Sequence, residues 1–179
     1  MMRKRPSPIV FLIVLSILPS FSLFAAGRQE KASRGESAVH FTSKSLVRIL
    51  EERNDVTFIA SALRQSGLAK QMAELDGYTL FVPTDDVIAR LPERARKALA
   101  SDPQALLDVL TAQMVKGIVT VEELRKRPSV ETLSGIHLQV GSRNGRITIA
   151  DSDLIGEDLF GNGFLVHVVT GIIVPSIKL

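Results

Sequence analysis

The residues able to do chemistry are few and scattered. His40, His137 and His167 lie far apart, and none stands in H-x-x-x-H or H-E-x-x-H spacing, the pattern that sets two imidazoles on one helix face for zinc. There is no cysteine, which removes disulfides, thiol nucleophiles, thiolate metal sites and acylation of a leader cysteine. Gly161-Asn162-Gly163 lacks the lysine and following helix of a phosphate loop. Ser66-Gly67 and Ser134-Gly135 lack the strand–turn–helix setting of a nucleophilic serine. Asp151, Asp153, Glu157 and Asp158 crowd together without the glycine placement of a calcium loop, and read as solvated turn charges. Arg125-Lys126-Arg127 is a compact basic run behind a short helix. It reads either as a dipole-favoured helix end or as a docking patch for an anionic polymer or lipid headgroup. His167 stands inside an apolar run with no paired base. It is expected to be buried and hydrogen-bonded to backbone or to a side chain of the 78–88 segment. No catalytic residue, metal or cofactor is expected.

The ends and the charge set the class. Arg3, Lys4 and Arg5 precede an apolar run from Ile9 to Leu18, and Ala25-Ala26-Gly27 supplies small residues. This order is that of a secretory signal over residues 1–27, cut after Gly27 so that Ala25 falls at −3. The alternative is an anchor left uncut, weakened by Ser16, Pro19, Ser20 and Ser22. Residues 28–42 are polar and small, a flexible linker. Removing Arg3, Lys4 and Arg5 leaves 19 basic residues against 19 acidic ones. A neutral domain has no global field for nucleic acid, which excludes that partner class. The remainder is long enough to bury roughly 70% of its unfolded surface without disulfides or metal.

The elements follow from periodicity. Leu46, Val47, Ile49 and Leu50 mark a short amphipathic helix. Phe58, Ile59, Ala62 and Leu63 mark a second, capped by Asn54 or Asp55 and ended by Gly67. Leu68 to Leu75 is a further helical stretch, and Asp76-Gly77 a turn. Tyr78 to Val82 is a continuous apolar run, a buried strand stopped by Pro83. Thr84 is placed to cap the next helix, with Asp85 and Asp86 in its first turn. Pro92 opens another helix, and Asp102-Pro103 one that runs through Leu110. Met114 to Val119 is a strand interrupted at Lys116-Gly117, and Thr120 to Glu123 a capping box. Ser129 to Leu133 and Ile136 to Val140 are strands, and Asn144-Gly145 turns a hairpin into Arg146 to Ala150. Phe164 to Val169 and Ile172 to Val174 are final strands, parted by a tight turn at Gly171. Helices first and mainly antiparallel strands after give the class α+β.

Two segments carry a resemblance. Tyr78-Thr79-Leu80-Phe81-Val82-Pro83-Thr84-Asp85-Asp86-Val87-Ile88 and Gly163-Phe164-Leu165-Val166-His167-Val168-Val169-Thr170-Gly171-Ile172-Ile173-Val174-Pro175 are similar, in order and separation, to the two signature motifs of the fasciclin-like (FAS1) domain. The resemblance implies one domain over residues 43–179: a FAS1-like wedge with an antiparallel β core and helices along one side. It implies an exported, non-enzymatic module for adhesion or protein–protein contact, whose partner is an extracytoplasmic protein or envelope polymer. It marks Phe81, Pro83, Thr84, Asp85, Gly163, His167, Gly171 and Pro175 as structural. Three departures stand out. Ala112-Gln113 occupy the positions of the family's Tyr-His pair, which puts integrin-type adhesion in question. His167 sits one residue further from Asn162 than the pattern has it, so either Gly163 takes the Asn position or a bulge is inserted. Thr170 replaces an Asp. The alternative function is a carrier of a small apolar ligand held between sheet and helices.

Overall fold

The computed structural model describes residues 44–75 and 77–173. The expected leader, linker and Pro175 lie outside the described residues. Helices α1 (Leu46–Glu51), α2 (Thr57–Ser66) and α3 (Leu68–Met72) come first. The Ser45 hydroxyl caps α1 by accepting the Arg48 amide. Gly67, at φ 73°, ends α2 and opens α3 in one residue. Strand β1 (Tyr78–Pro83) is buried at every position. Helices α4 (Asp85–Ala89), α5 (Glu93–Ser101) and α6 (Pro103–Ala112) follow. Asp102 accepts the Gln104 and Ala105 amides at the start of α6. Then come β2 (Met114–Lys116), α7 (Val121–Leu124), β3 (Ser129–Glu131), β4 (His137–Arg143), β5 (Arg146–Ile149), β6 (Ser152–Phe160) and β7 (Phe164–Val169). Asn144 and Gly145, at φ 51° and 79°, form the β4–β5 turn.

The seven described strands run β2-β1-β7-β6-β5-β4-β3. Every pair is antiparallel except β1–β7, which runs parallel from Tyr78 opposite Phe164 to Pro83 opposite Val169. The two outer strands also meet: Val115 bridges Thr132, and the Leu133 amide donates to the Met114 carbonyl at 2.7 Å. The sheet therefore curls nearly shut. Side chains alternate across the central strands. Leu80, Val82, Val166 and Val168 enter a core with the helices, among Leu50, Ile59, Leu63 and Leu106. Phe81 and Val169 enter a second core inside the curl, with Leu124, Leu138 and Ile149. Burial on both faces explains why β1 and β7 read as unbroken apolar runs. The class is α+β, as expected.

Local expectations fail at four places. Neither Asn54 nor Asp55 caps α2; Val56 stands at its N-cap, and the α2 amides are met by a distant carboxylate, described below. Thr84 stands at the N-cap of α4, but its side chain makes no capping bond. Asp153, Glu157 and Asp158, expected as solvated turn charges beside Asp151, lie in the nine-residue strand β6. Ile172 and Ile173 are not in a strand, and Gly171 has no positive φ. A Cβ on Gly171 would fall 1.9 Å from Ser152 Oγ, so this glycine is required by close approach of the chain and not by a turn. Among the described residues, no helix is long and apolar enough to cross a membrane.

Candidate functional site

The parallel register sets Phe81 opposite His167, and the two rings stack with centroids 5.4 Å apart. His167 is 2% exposed. Its Nε2 lies 2.8 Å from the Val119 carbonyl, which can only accept, so Nε2 carries a proton and donates. Nδ1 faces Asp158 Oδ1 at 3.3 Å. With the proton on Nε2, a neutral ring turns a lone pair toward that carboxylate, and the contact gains a proton only in the imidazolium form. Burial pushes the His167 pKa down, against the Val119 hydrogen bond and the Asp158 charge, which push it up.

Asp158 arrives there through a bulge. Ile155 pairs with Val168 and Leu159 with Val166, so three residues of β6 oppose His167 alone. Gly156, at φ 82°, takes the conformation this needs. The displaced chain aims Asp158 inward, where its Oδ2 accepts the Val121 amide at the start of α7. The side chain of Glu157 lies outside the described set. Thr79, fully buried on the Phe81 face, accepts the Val119 amide at 2.8 Å and donates to the Gly117 carbonyl at 2.7 Å. Thr79, His167 and Asp158 thus strap residues 117–121 to three strands and fix α7. The bulge belongs to β6: β7 keeps an unbroken register with β1, and Gly163, at φ 77°, lies in the turn before it.

The other motif residues join two helix starts. Asp85 accepts the Thr57 amide (3.0 Å), the Thr57 hydroxyl (2.6 Å) and the Phe58 amide (2.9 Å), capping α2 from 28 residues away. The Asp85 amide donates to the Asp55 carbonyl at 2.7 Å. Asp55 itself pairs with Arg53, whose guanidinium holds its carboxyl below the usual range. Pro83 closes β1 opposite Val169, past the point where β2 stops pairing. Ala112 and Gln113 are fully buried, and the Gln113 carbonyl accepts the Phe81 amide.

Arg125, Lys126 and Arg127 form the exposed turn that continues α7. The Pro128 carbonyl accepts the Val140 amide at 2.9 Å, seating this turn against β4. Arg125 and Arg127 line a cleft of about 320 Å³ with Val140, Gly141, Ser142 and Ile147. A smaller crevice of about 160 Å³ lies among Leu46, Ala69, Ala73, Tyr78 and Phe164, with Lys44, Ser45 and Asn162 also on its wall. The structure thus brings Phe81 and His167 together, places Thr84 and Asp85 at a helix junction, and leaves the basic run on a separate surface. Sequence reasoning missed Asp158, Thr79 and Val119. The paired apolar residues Leu154-Ile155 and Leu159-Phe160, either side of Gly156, were the available signal of a bulged strand.

Residues 54–175 match the Fasciclin domain family. Transforming growth factor-beta-induced protein ig-h3 of Sus scrofa is 25% identical over 143 residues, which cover 79% of this chain and 21% of that protein. Protein sll1483 of Synechocystis is 21% identical over 160 residues, 88% of each chain. Human periostin is 20% identical over 133 residues, 74% of this chain and 16% of that protein. The chain therefore spans about a fifth of the length of the pig relative. A solved FAS1 domain pair from the insect cell adhesion molecule Fasciclin I superposes with a TM-score of 0.62 at 16% identity, covering 74% of this chain and 51% of that one.

Proposed function

The chain belongs to the fasciclin domain family, and from that premise we propose that it serves outside the cytoplasm as a non-enzymatic interaction module, adhesive in the broad sense. The observation that carries this reading is the state of the motif histidine. His167 is shut inside the curl, with Nε2 on a backbone carbonyl and Nδ1 on a carboxylate. Nε2 is bonded, and Nδ1 is buried behind the Asp158 carboxylate, so the signature residues serve the scaffold and the exposed surface is left for contact. The insect protein sharing the fold is named a cell adhesion molecule, which fits. Export rests on the leader pattern of residues 1–27.

The carrier alternative draws no support from the small crevice beside Tyr78 and Phe164, which Lys44, Ser45 and Asn162 also line. Its volume of about 160 Å³ lies below the roughly 300 Å³ at which sites for drug-sized ligands begin. Crosslinking in intact cells tests the main reading. The expected result is a product with an extracytoplasmic protein or envelope polymer, formed by a chain whose amino terminus begins at Arg28. A chain found wholly in the cytoplasmic fraction, crosslinked to nothing outside it, would refute the proposal.

A further inference from the structure

We propose that the cleft between the α7 turn and strands β4 and β5 binds an anionic sugar unit of an acidic polysaccharide, through its carboxylate or sulfate groups. This names a partner class for the interaction module above and can fail separately from it.

The three cations of the α7 turn have no ion-pair partner among the described residues. In a helix, Glu122 and Glu123 stand four residues before Lys126 and Arg127, the spacing that normally pairs charges. Glu123 is held instead by the capping box: its Oε2 accepts the Thr120 amide at 3.1 Å and the Thr120 hydroxyl accepts the Glu123 amide. Among the described residues, no carboxylate forms an ion pair with Arg125, Lys126 or Arg127. Helix α7 is four residues long, too short for its dipole to account for three adjacent cations. The turn is nevertheless held in place, through Pro128 on β4 and through the straps on residues 117–121.

The walls of the cleft select the ligand. Two guanidiniums present planar forks suited to carboxylate or sulfate oxygens. Val140, half-buried, offers apolar surface to the C–H face of a sugar ring above the buried Ile147, and exposed Ser142 a hydroxyl. No aromatic side chain lines the cleft, which removes the stacking platform of a single-strand nucleic-acid site. Among the described residues the exposed large apolar side chains are Leu75 and Leu133. Neither lies on the β4–β5 hairpin, so the surface lacks the apolar insertion of a membrane-docking face. One cleft binds one charged sugar weakly; a polymer repeating that unit adds avidity where several copies of the domain are held together.

The test is binding of the full chain to polygalacturonate and to dextran sulfate, with neutral dextran and phosphatidylglycerol-containing vesicles alongside. Retention on either acidic polymer but not on dextran is expected, and the preferred one identifies the anion. R125Q/R127Q is expected to weaken binding about tenfold and flatten its salt dependence, with R125K/R127K in between. Removing equal charge elsewhere, with K70Q/R94Q, is expected to change it less than about twofold; all variants keep the amino-terminal cations. Equal weakening by both pairs, no retention above dextran, or preference for vesicles would overturn the proposal. If crosslinking still captured an extracytoplasmic partner, the module reading would stand with its contact elsewhere.

Discussion

Replacing Asp85 by Ala removes the cap of a helix that lies 28 residues earlier. The carboxylate holds two amides of the first turn of α2 and one hydroxyl. A lost cap costs about 0.5–2 kcal/mol, and a lost negative charge at a helix start about 0.3–1 kcal/mol more. The Thr57 side is exposed, so water recovers part of its bond; the Phe58 amide is half-buried and does so less readily. The expected loss is about 2 kcal/mol, or a melting temperature lowered by about 4–8 °C for a domain of this size. Asp85→Asn keeps an acceptor and loses the charge, so it should fall between Ala and wild type. Asp86 is exposed and next in sequence, and Asp86→Ala should stay within about 0.5 kcal/mol. Urea denaturation measures all three, and hydrogen exchange at the Thr57 and Phe58 amides locates the effect, which should be faster exchange there. If Asp85→Ala and Asp86→Ala proved equal, the remote cap would contribute nothing and the reasoning would fail.

Three further outcomes follow from the interior. His167 has a folded-state pKa depressed below its unfolded value of about 6.5, so below pH 6.5 the unfolded chain binds the extra proton. Its contribution to stability is complete above that pH and declines as pH falls toward the folded value. His167→Gln keeps a donor for Val119 and cannot titrate; urea midpoints from pH 7.5 to 5.5 should fall less for it than for wild type, and parallel curves would contradict the assignment. Thr79→Val preserves shape but strands the Val119 amide and the Gly117 carbonyl, and should cost about 2–4 kcal/mol in the same assay, against a null result if water replaces the hydroxyl. Gly171→Ala drives a methyl into Ser152 and should cost about 1–3 kcal/mol; Ser152→Gly in the same chain should restore part of it, and no restoration would place the clash elsewhere.

What the sequence disclosed and what it withheld divide by range. Signals confined to a few residues were legible: the Thr120–Glu123 capping box, the Asn144-Gly145 turn, the Asp102-Pro103 helix start and the apolar runs of β1 and β7. The sequence around α2 offers Asn54 and Asp55 as its cap, and nothing local reveals that Asp85 reaches back across the fold. Strand β6 was lost because its bulge breaks the period-two alternation, and its acidic residues look like a loop. In sequence Asp158 therefore looks like a solvated charge, whereas the bulge carries it to His167 and the α7 amide. The sequence marks Gly171 as a turn residue, whereas its lack of a side chain serves a contact with Ser152, and only packing reveals that.

The parallel pairing of β1 with β7 bears on how the molecule is made. The last described strand in the chain is not an edge added to a finished sheet; it lies between β1 and β6. Until it emerges from the ribosome, β2-β1 and β6-β5-β4-β3 touch only through the short contact of β2 with β3, and the carbonyl of Val119 has no imidazole to receive. Such a domain cannot consolidate from its amino terminus forward, because closing the seam joins residues more than eighty positions apart, a slow step in folding. A chain cut short before Phe164 would therefore yield an open, aggregation-prone polypeptide and not a smaller working unit.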